Sequence, residues 1–78
     1  MKCFVIAESQ IVRALGISGI QGIETDTLQD IRKAVETAVS DRTVGTLLIS
    51  SEVQAKAADI LEKHRQRGVL PVVMLLEQ

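Results

Sequence analysis

Aromatic side chains are almost missing from this 78-residue chain, which has one Phe and neither Tyr nor Trp. A hydrophobic core must therefore be built from Ile, Val, Leu and Ala. Stacking on nucleic-acid bases needs aromatic faces, so it is excluded as a main binding mode. Basic runs are missing too, and nine Lys and Arg against ten Asp and Glu leave a net charge of −1. A nucleic-acid backbone or an anionic membrane surface is thus not an expected partner.

Cysteine, histidine and long apolar runs are equally scarce. Cys3 is the only cysteine, so no internal disulfide can form, which fits a reducing compartment. His64 is the only histidine, and the chain by itself can therefore form neither a His-metal cluster nor a His-based catalytic triad. The apolar run Cys3–Ala7 is too short for a signal peptide, and no run approaches the ~20 residues of a membrane span. These features predict a cytoplasmic protein.

The chain does contain apolar runs of strand length that alternate with amphipathic helical segments. Most of these runs are continuous, which is typical of strands buried on both faces of a parallel sheet. Strands are predicted at Cys3–Ala7, Gly19–Thr25, Val44–Ile49 and Val69–Leu76. Right-handed crossovers between them predict an α/β fold, a small three-layer sandwich with a four-stranded parallel sheet of order 2-1-3-4. It would be a truncated flavodoxin- or receiver-like fold, and the length leaves room for one domain.

Three helices are predicted between these strands. The first begins with Ser9 as its N-cap and ends at Gly16. The second begins with Asp26 as its N-cap and presents one apolar stripe at helical spacing. The third begins with Ser51 and runs without interruption to Gly68, after a basic last turn that suits a helix C-terminus.

Ligands of parallel α/β sheets bind beyond the carboxyl ends of the strands, so any chemistry of this chain should lie there. The residues expected at that edge are Glu8, Ser9, Thr25, Asp26, Ser50, Ser51, Glu52, Glu77 and Gln78. A phosphate site would need a glycine-rich loop and a lysine after the first strand, where the chain has Glu8 instead. A receiver domain would need an aspartate after the third strand, where the chain has Ser50. We therefore expect no catalytic residue, no metal and no cofactor.

Four side chains that can be reactive elsewhere are expected to serve the fold. Cys3 lies within an apolar strand and is interpreted as an inert small hydrophobe, because a nucleophilic thiol needs exposure and positive neighbours. His64 is interpreted as a cap at the basic end of the third helix. Ser50 and Ser51 have no base nearby in the sequence, so they are interpreted as caps rather than nucleophiles.

A surplus of apolar residues lies in the first helix and the segment after it. The candidates for a partner-binding surface are Ile11, Val12, Leu15, Ile17 and Ile20. An edge strand needs cover on one face only, so these side chains could form an exposed patch for a partner. They could equally close the core of so small a domain, and the sequence leaves both interpretations open.

Four segments carry a family resemblance by their order and spacing. They are Val5-Ile6-Ala7-Glu8, Arg13–Ile20 with its Gly-Ile pairs, Val44–Glu52, and Leu70-Pro71-Val72-Val73. They resemble segments of the F subunits of the vacuolar/archaeal-type (V-type/A-type) rotary ATPases and ATP synthases. The first of them resembles that family's first strand and turn, and the second resembles the segment before its second strand. The third resembles the family's third strand, and the fourth resembles the Leu-Pro start of its fourth strand. The resemblance spans nearly the whole chain, although Ala7-Glu8 replaces the family's usual Gly-Asp.

This resemblance implies a non-catalytic component of the central rotor stalk that binds the D subunit of that stalk. The catalytic head and other stalk subunits are further candidate partners. The complex as a whole would transport protons or sodium ions across the membrane. This chain would be associated with the membrane only indirectly, through the complex. Residues 1–78 would form one domain like the family's F subunits, without their usual C-terminal tail. Two alternatives stay open: a receiver-like signalling or small-ligand-binding domain without the phosphoacceptor aspartate, and a free-standing adaptor.

Overall fold

Strands and helices alternate along the chain in the computed structural model, which describes residues 1–76. The elements are β1 (Lys2–Ala7), α1 (Ser9–Ile17), β2 (Gln21–Glu24), α2 (Leu28–Val39), β3 (Val44–Ile49), α3 (Ser51–Lys56), α4 (Ala58–Arg67) and β4 (Val72–Leu75). All neighbouring strands pair in parallel, and the sheet order β2-β1-β3-β4 confirms the predicted topology. None of the described helices is long and apolar enough to cross a membrane.

The two faces of the sheet carry different amounts of helix. On one face, α2, α3 and α4 enclose the larger core, in which Ile6, Leu47 and Leu61 are fully buried. On the other face, α1 packs against β1 and β2 over a smaller core that includes Val5 and Val12. Both cores are aliphatic, as the composition predicts. The half of this second face formed by β3 and β4 carries no comparable helix cover within residues 1–76.

Each of the three predicted helix starts lies one residue away from its observed position. The observed N-caps are Glu8, Thr27 and Ser50, rather than the predicted Ser9, Asp26 and Ser51. At α2, the Thr27 hydroxyl accepts from the Asp30 N–H at 3.1 Å, and the Asp30 carboxylate accepts from the Thr27 N–H at 3.4 Å. This reciprocal capping box makes Thr27, and not Asp26, the cap of α2.

The predicted third helix is divided into α3 and α4 at Ala57, whose backbone angles of −124° and 25° leave the helical region. The prediction of an uninterrupted helix was therefore wrong. The sequence has neither glycine nor proline at this point, so nothing in it indicates the break. Gly68 ends α4 in the left-handed conformation with φ of 63°, which confirms the predicted terminator. Strands β2 and β4 are shorter than predicted, because hydrogen-bonded pairing covers only part of each apolar run.

The expected burial of Cys3 and the expected capping role of His64 were both wrong. Cys3 is exposed, because it points to the sheet face that helices cover only in part. His64 is buried, and its Nε2 lies 2.7 Å from the backbone carbonyl of Pro71. It therefore links α4 to the segment before β4 instead of capping the helix end. Its position three residues after the buried Leu61 places both on one helical face, a spacing that favours burial.

Candidate functional site

A cleft of about 500 Å³ lies at the carboxyl edge of the sheet, where ligands of such folds bind. Its lining residues are Glu8, Ser9, Gln10, Glu24, Thr25, Asp26, Asp30 and Glu52. Five of the nine residues predicted at this edge line the cleft: Glu8, Ser9, Thr25, Asp26 and Glu52. Ser50 and Ser51 do not line it, and Glu77 and Gln78 lie outside the described residues. Gln10, Glu24 and Asp30 were missed, although the Thr27-x-x-Asp30 spacing was a readable signal for the last. The cleft is strongly acidic.

The loops after β1 and β3 meet behind this cleft. The Ser50 hydroxyl donates to Glu8 Oε1 at 3.1 Å and accepts from the Val53 N–H at 3.3 Å. A hydroxyl beside a carboxylate at this distance resembles a nucleophile with its base. Ser50 is fully buried, however, so no substrate can reach its oxygen. The pair instead fixes the start of α3 against the end of β1, as the interpretation of Ser50 as a cap requires.

Two carboxylates of the cleft, those of Glu24 and Glu52, form ion pairs with neighbouring basic side chains. The Lys56 ammonium donates to Glu52 Oε1 at 2.8 Å, and this hydrogen bond lowers the pKa of Glu52. Glu52 also stands in the first turn of α3, where the helix dipole favours a negative charge. Arg13 lies 3.5 Å from Glu24 in an exposed ion pair. No basic residue is among the residues that line the cleft, so its surface favours cationic rather than phosphate-bearing groups.

The predicted partner-binding residues lie in different environments. Val12 is buried in the smaller core, whereas Ile11, Leu15 and Ile20 are partly buried and pack against that core. Ile17, at the end of α1, is 90% exposed. Core closure therefore accounts for most of this apolar surplus, and Ile17 alone presents its whole side chain to a partner. Partner binding by these residues stays a prediction.

Further exposed apolar side chains lie on β4 and in the segment before it. Val72, Met74 and Leu75 are each about half exposed. Two further exposed hydrophobic residues, Val69 and Leu70, precede this strand. Val72 and Met74 point to one face of the sheet and Leu75 to the other, so these side chains do not form one continuous surface. The sequence indicated an apolar last strand, but whether a helix covered it depended on how α1 packs across the sheet, which no local pattern encodes.

Comparisons with known proteins agree with this fold. The chain matches the family described as ATP synthase (F/14-kDa) subunit over residues 3–77. It is 27% identical over 77 residues to the F subunit of the A-type ATP synthase of Methanosarcina mazei, a match that covers 97% of this chain and 76% of that protein. The F subunit of the V-type ATP synthase of Archaeoglobus fulgidus has a similar structure, with a TM-score of 0.85, 21% identity, and coverage of 97% of this chain and 96% of that one. Because the family match extends over almost the whole sequence, this chain belongs to the family of ATP synthase (F/14-kDa) subunits.

Proposed function

We propose that this chain is a non-catalytic component of the central stalk in a V/A-type rotary ATPase or ATP synthase. There it binds the D subunit of the stalk and supports coupling between ATP turnover and proton or sodium transport. The observation that carries the proposal is the family match over residues 3–77. In this proposal the chain is held at the membrane through the complex, on the cytoplasmic side.

The physical mechanism is burial of exposed apolar surface against a neighbouring protein of the stalk. Ile17, Val72 and Met74 are hydrophobic and at least half exposed, so removing them from water would favour association. Ser50 and Glu8 at the carboxyl edge are engaged in the structural bond between two loops. These features favour a docking role over a chemical one.

Co-expression with the D subunit of the same complex tests the proposal. We expect the two chains to co-elute as a stoichiometric complex after size-exclusion chromatography. A folded chain that elutes alone at micromolar concentration would contradict the proposal. Thermal stability measured with nucleotides, and labelling with acetyl phosphate, test the ligand-binding and receiver-like alternatives, and we expect neither a stabilising shift nor a label.

Ile17 provides a test of the predicted surface at the end of α1. We propose that it contributes to the interface, because it is the one member of the predicted set that is almost fully exposed. Ile17→Lys should leave the stability of the isolated chain nearly unchanged, because a positive charge suits the C-terminus of α1, and it should weaken binding to the D subunit. Unchanged binding would remove α1 from the interface.

A further inference from the structure

The outer edge of β4 is an unpaired edge of the sheet. β3 lies on one side of β4, and no strand lies on its other side within residues 1–76. Successive residues of a strand direct their backbone groups to opposite sides in the plane of the sheet. The Leu76 N–H donates to the Ile49 carbonyl at 2.8 Å, so Met74, two residues earlier, also faces β3. Val73 and Leu75 therefore direct their N–H and C=O groups toward the outer edge.

The exposure of the β4 side chains shows that this edge is accessible on both faces of the sheet. Val72 and Met74 point to one face and are 55% and 52% exposed, whereas Leu75 points to the other face and is 49% exposed. A helix that extended over the edge on either face would bury one of these two sets. A strand that approaches in the plane of the sheet can therefore reach the outward backbone groups.

The sequence of β4 lacks the features that protect exposed edges from strand pairing. Such edges are usually protected by charged side chains, by a proline within the strand or by a bulge. The four residues Val72–Leu75 include neither a charge nor a proline, and their register with β3 is unbroken. The other edge strand, β2, contains Gly22 and Glu24, and Glu24 forms an ion pair with Arg13. Of these two edges, β4 is thus the one that suits pairing with another strand.

The backbone of β4 is complementary to the backbone of a second copy of itself. In an antiparallel pair, two opposed residues that direct both backbone groups at each other exchange two hydrogen bonds. With a twofold axis at Met74, Val73 of each copy opposes Leu75 of the other, so both outward residues are satisfied in both copies. The side chains that meet are all apolar, and a net charge of −1 on each chain adds little repulsion. A twofold axis also closes the assembly at two copies.

We propose that two free copies of this chain pair through their β4 edges, antiparallel and around a twofold axis at Met74, so that the two sheets become one. The inference does not rest on the proposed function, because it involves no other protein. Two strands of four residues form a contact smaller than a standard interface, so the dimer is weak and reversible. The pairing covers the apolar edge of chains that are not bound in a larger assembly.

The mass of the full chain in solution provides the first test. Sedimentation under reducing conditions, from about 10 µM to about 1 mM protein, should show a mass that rises from 8.5 kDa toward twice that value. Leu75→Pro removes an outward N–H and keeps the bonds to β3, so it should weaken dimerisation by about tenfold or more. Glu24→Pro is the matched control, because it removes an outward N–H at the β2 edge, and it should leave dimerisation unchanged. Circular dichroism checks that both variants fold.

Two cysteine variants locate the twofold axis, each made together with Cys3→Ser so that the chain has one thiol. Met74→Cys places the two thiols on opposed residues whose Cα atoms are about 4.5 Å apart, within the range of a disulfide. Leu75→Cys is the matched control, because Leu75 is similarly exposed but lies about 7–8 Å from its own counterpart along a diagonal. Under mild oxidation, we expect Met74→Cys to cross-link at least about tenfold faster than Leu75→Cys. Equal cross-linking rates, a dimer that tolerates Leu75→Pro, or a chain that stays monomeric at about 1 mM would overturn the proposal.

Discussion

Gly22 in β2 is the position where the addition of a single methyl group should be most damaging. A Cβ at this residue would overlap Val5 Cγ1 and would lie 2.6 Å from the Val5 carbonyl oxygen and 3.2 Å from Val12 Cγ1. Val5 is the strand partner of Gly22, and both Val5 and Val12 are buried in the core beneath α1. Neither a backbone carbonyl nor a packed valine can yield without moving β2 away from β1. Overpacking of this kind costs about 1–3 kcal/mol of unfolding free energy.

Gly16→Ala is the matched control for Gly22→Ala. Gly16 was predicted to end the first helix, but α1 continues to Ile17 and has Ser18 as its C-cap. No atom outside the local backbone of Gly16 comes within 4 Å of the position its Cβ would take. Alanine in a helix is more stable than glycine by about 0.5–1 kcal/mol, so this substitution should stabilise the domain. The two glycine-to-alanine changes should therefore differ in sign.

Urea unfolding and thermal melting, both followed by circular dichroism, measure the two changes. In a domain of this size, each kcal/mol shifts the melting temperature by about 4–8 °C. We expect a lower unfolding midpoint for Gly22→Ala and a higher one for Gly16→Ala than for the unmodified chain. Equal midpoints for the two variants would refute the close packing of α1, β1 and β2 on which the description of the second sheet face depends.

Three further substitutions test the packing of the other face. Leu61→Ala should cost about 2–5 kcal/mol of unfolding free energy, because it removes a fully buried side chain from the larger core. Urea unfolding measures this loss, and a value below about 1 kcal/mol would contradict the packing of Leu61. Ser50→Ala should cost about 1–2 kcal/mol, since it removes the cap of α3 and the hydrogen bond to Glu8, and calorimetry should detect a correspondingly lower melting temperature. The Arg32 guanidinium, bonded to Asp59 at 2.8 and 2.9 Å, holds the pKa of Asp59 well below its usual range. A carboxyl whose pKa is lower in the folded chain contributes stability in full above about pH 4 and loses it as the pH falls. Asp59→Asn should therefore reduce the loss of stability between neutral pH and about pH 3, and an unchanged acid profile would contradict the ion pair.

The sequence alone was sufficient for the order and direction of the strands. Continuous apolar runs such as Val44–Ile49 predict buried parallel strands, and the crossover rule limits how they can be connected. The first residues of the helices were predicted less accurately. Ser50 and Ser51 are both good N-cap residues, and only the packing of α3 against β1 makes Ser50 the N-cap. Local sequence patterns predict which helices and strands form more accurately than they predict the residues at which each one begins and ends.

The environment of single side chains was the hardest feature to predict. Cys3 and Val5 stand in one apolar run, yet Cys3 is exposed while Val5 is buried, because α1 covers only part of their common face. Val12 and Ile17 stand in one apolar helix, yet Val12 is buried while Ile17 is exposed. These differences depend on where α1 lies across the sheet, which arises from tertiary packing rather than from the spacing of residues.

Isothermal titration calorimetry of the full chain with the D subunit, repeated over a range of temperatures, tests the central claim most directly. If the chain acts by burying apolar surface against this partner, binding should be stoichiometric with a clearly negative heat-capacity change. It should also persist at moderate salt, since apolar contacts are not screened. No binding, or binding with a heat-capacity change near zero that disappears as salt is added, would contradict the claim.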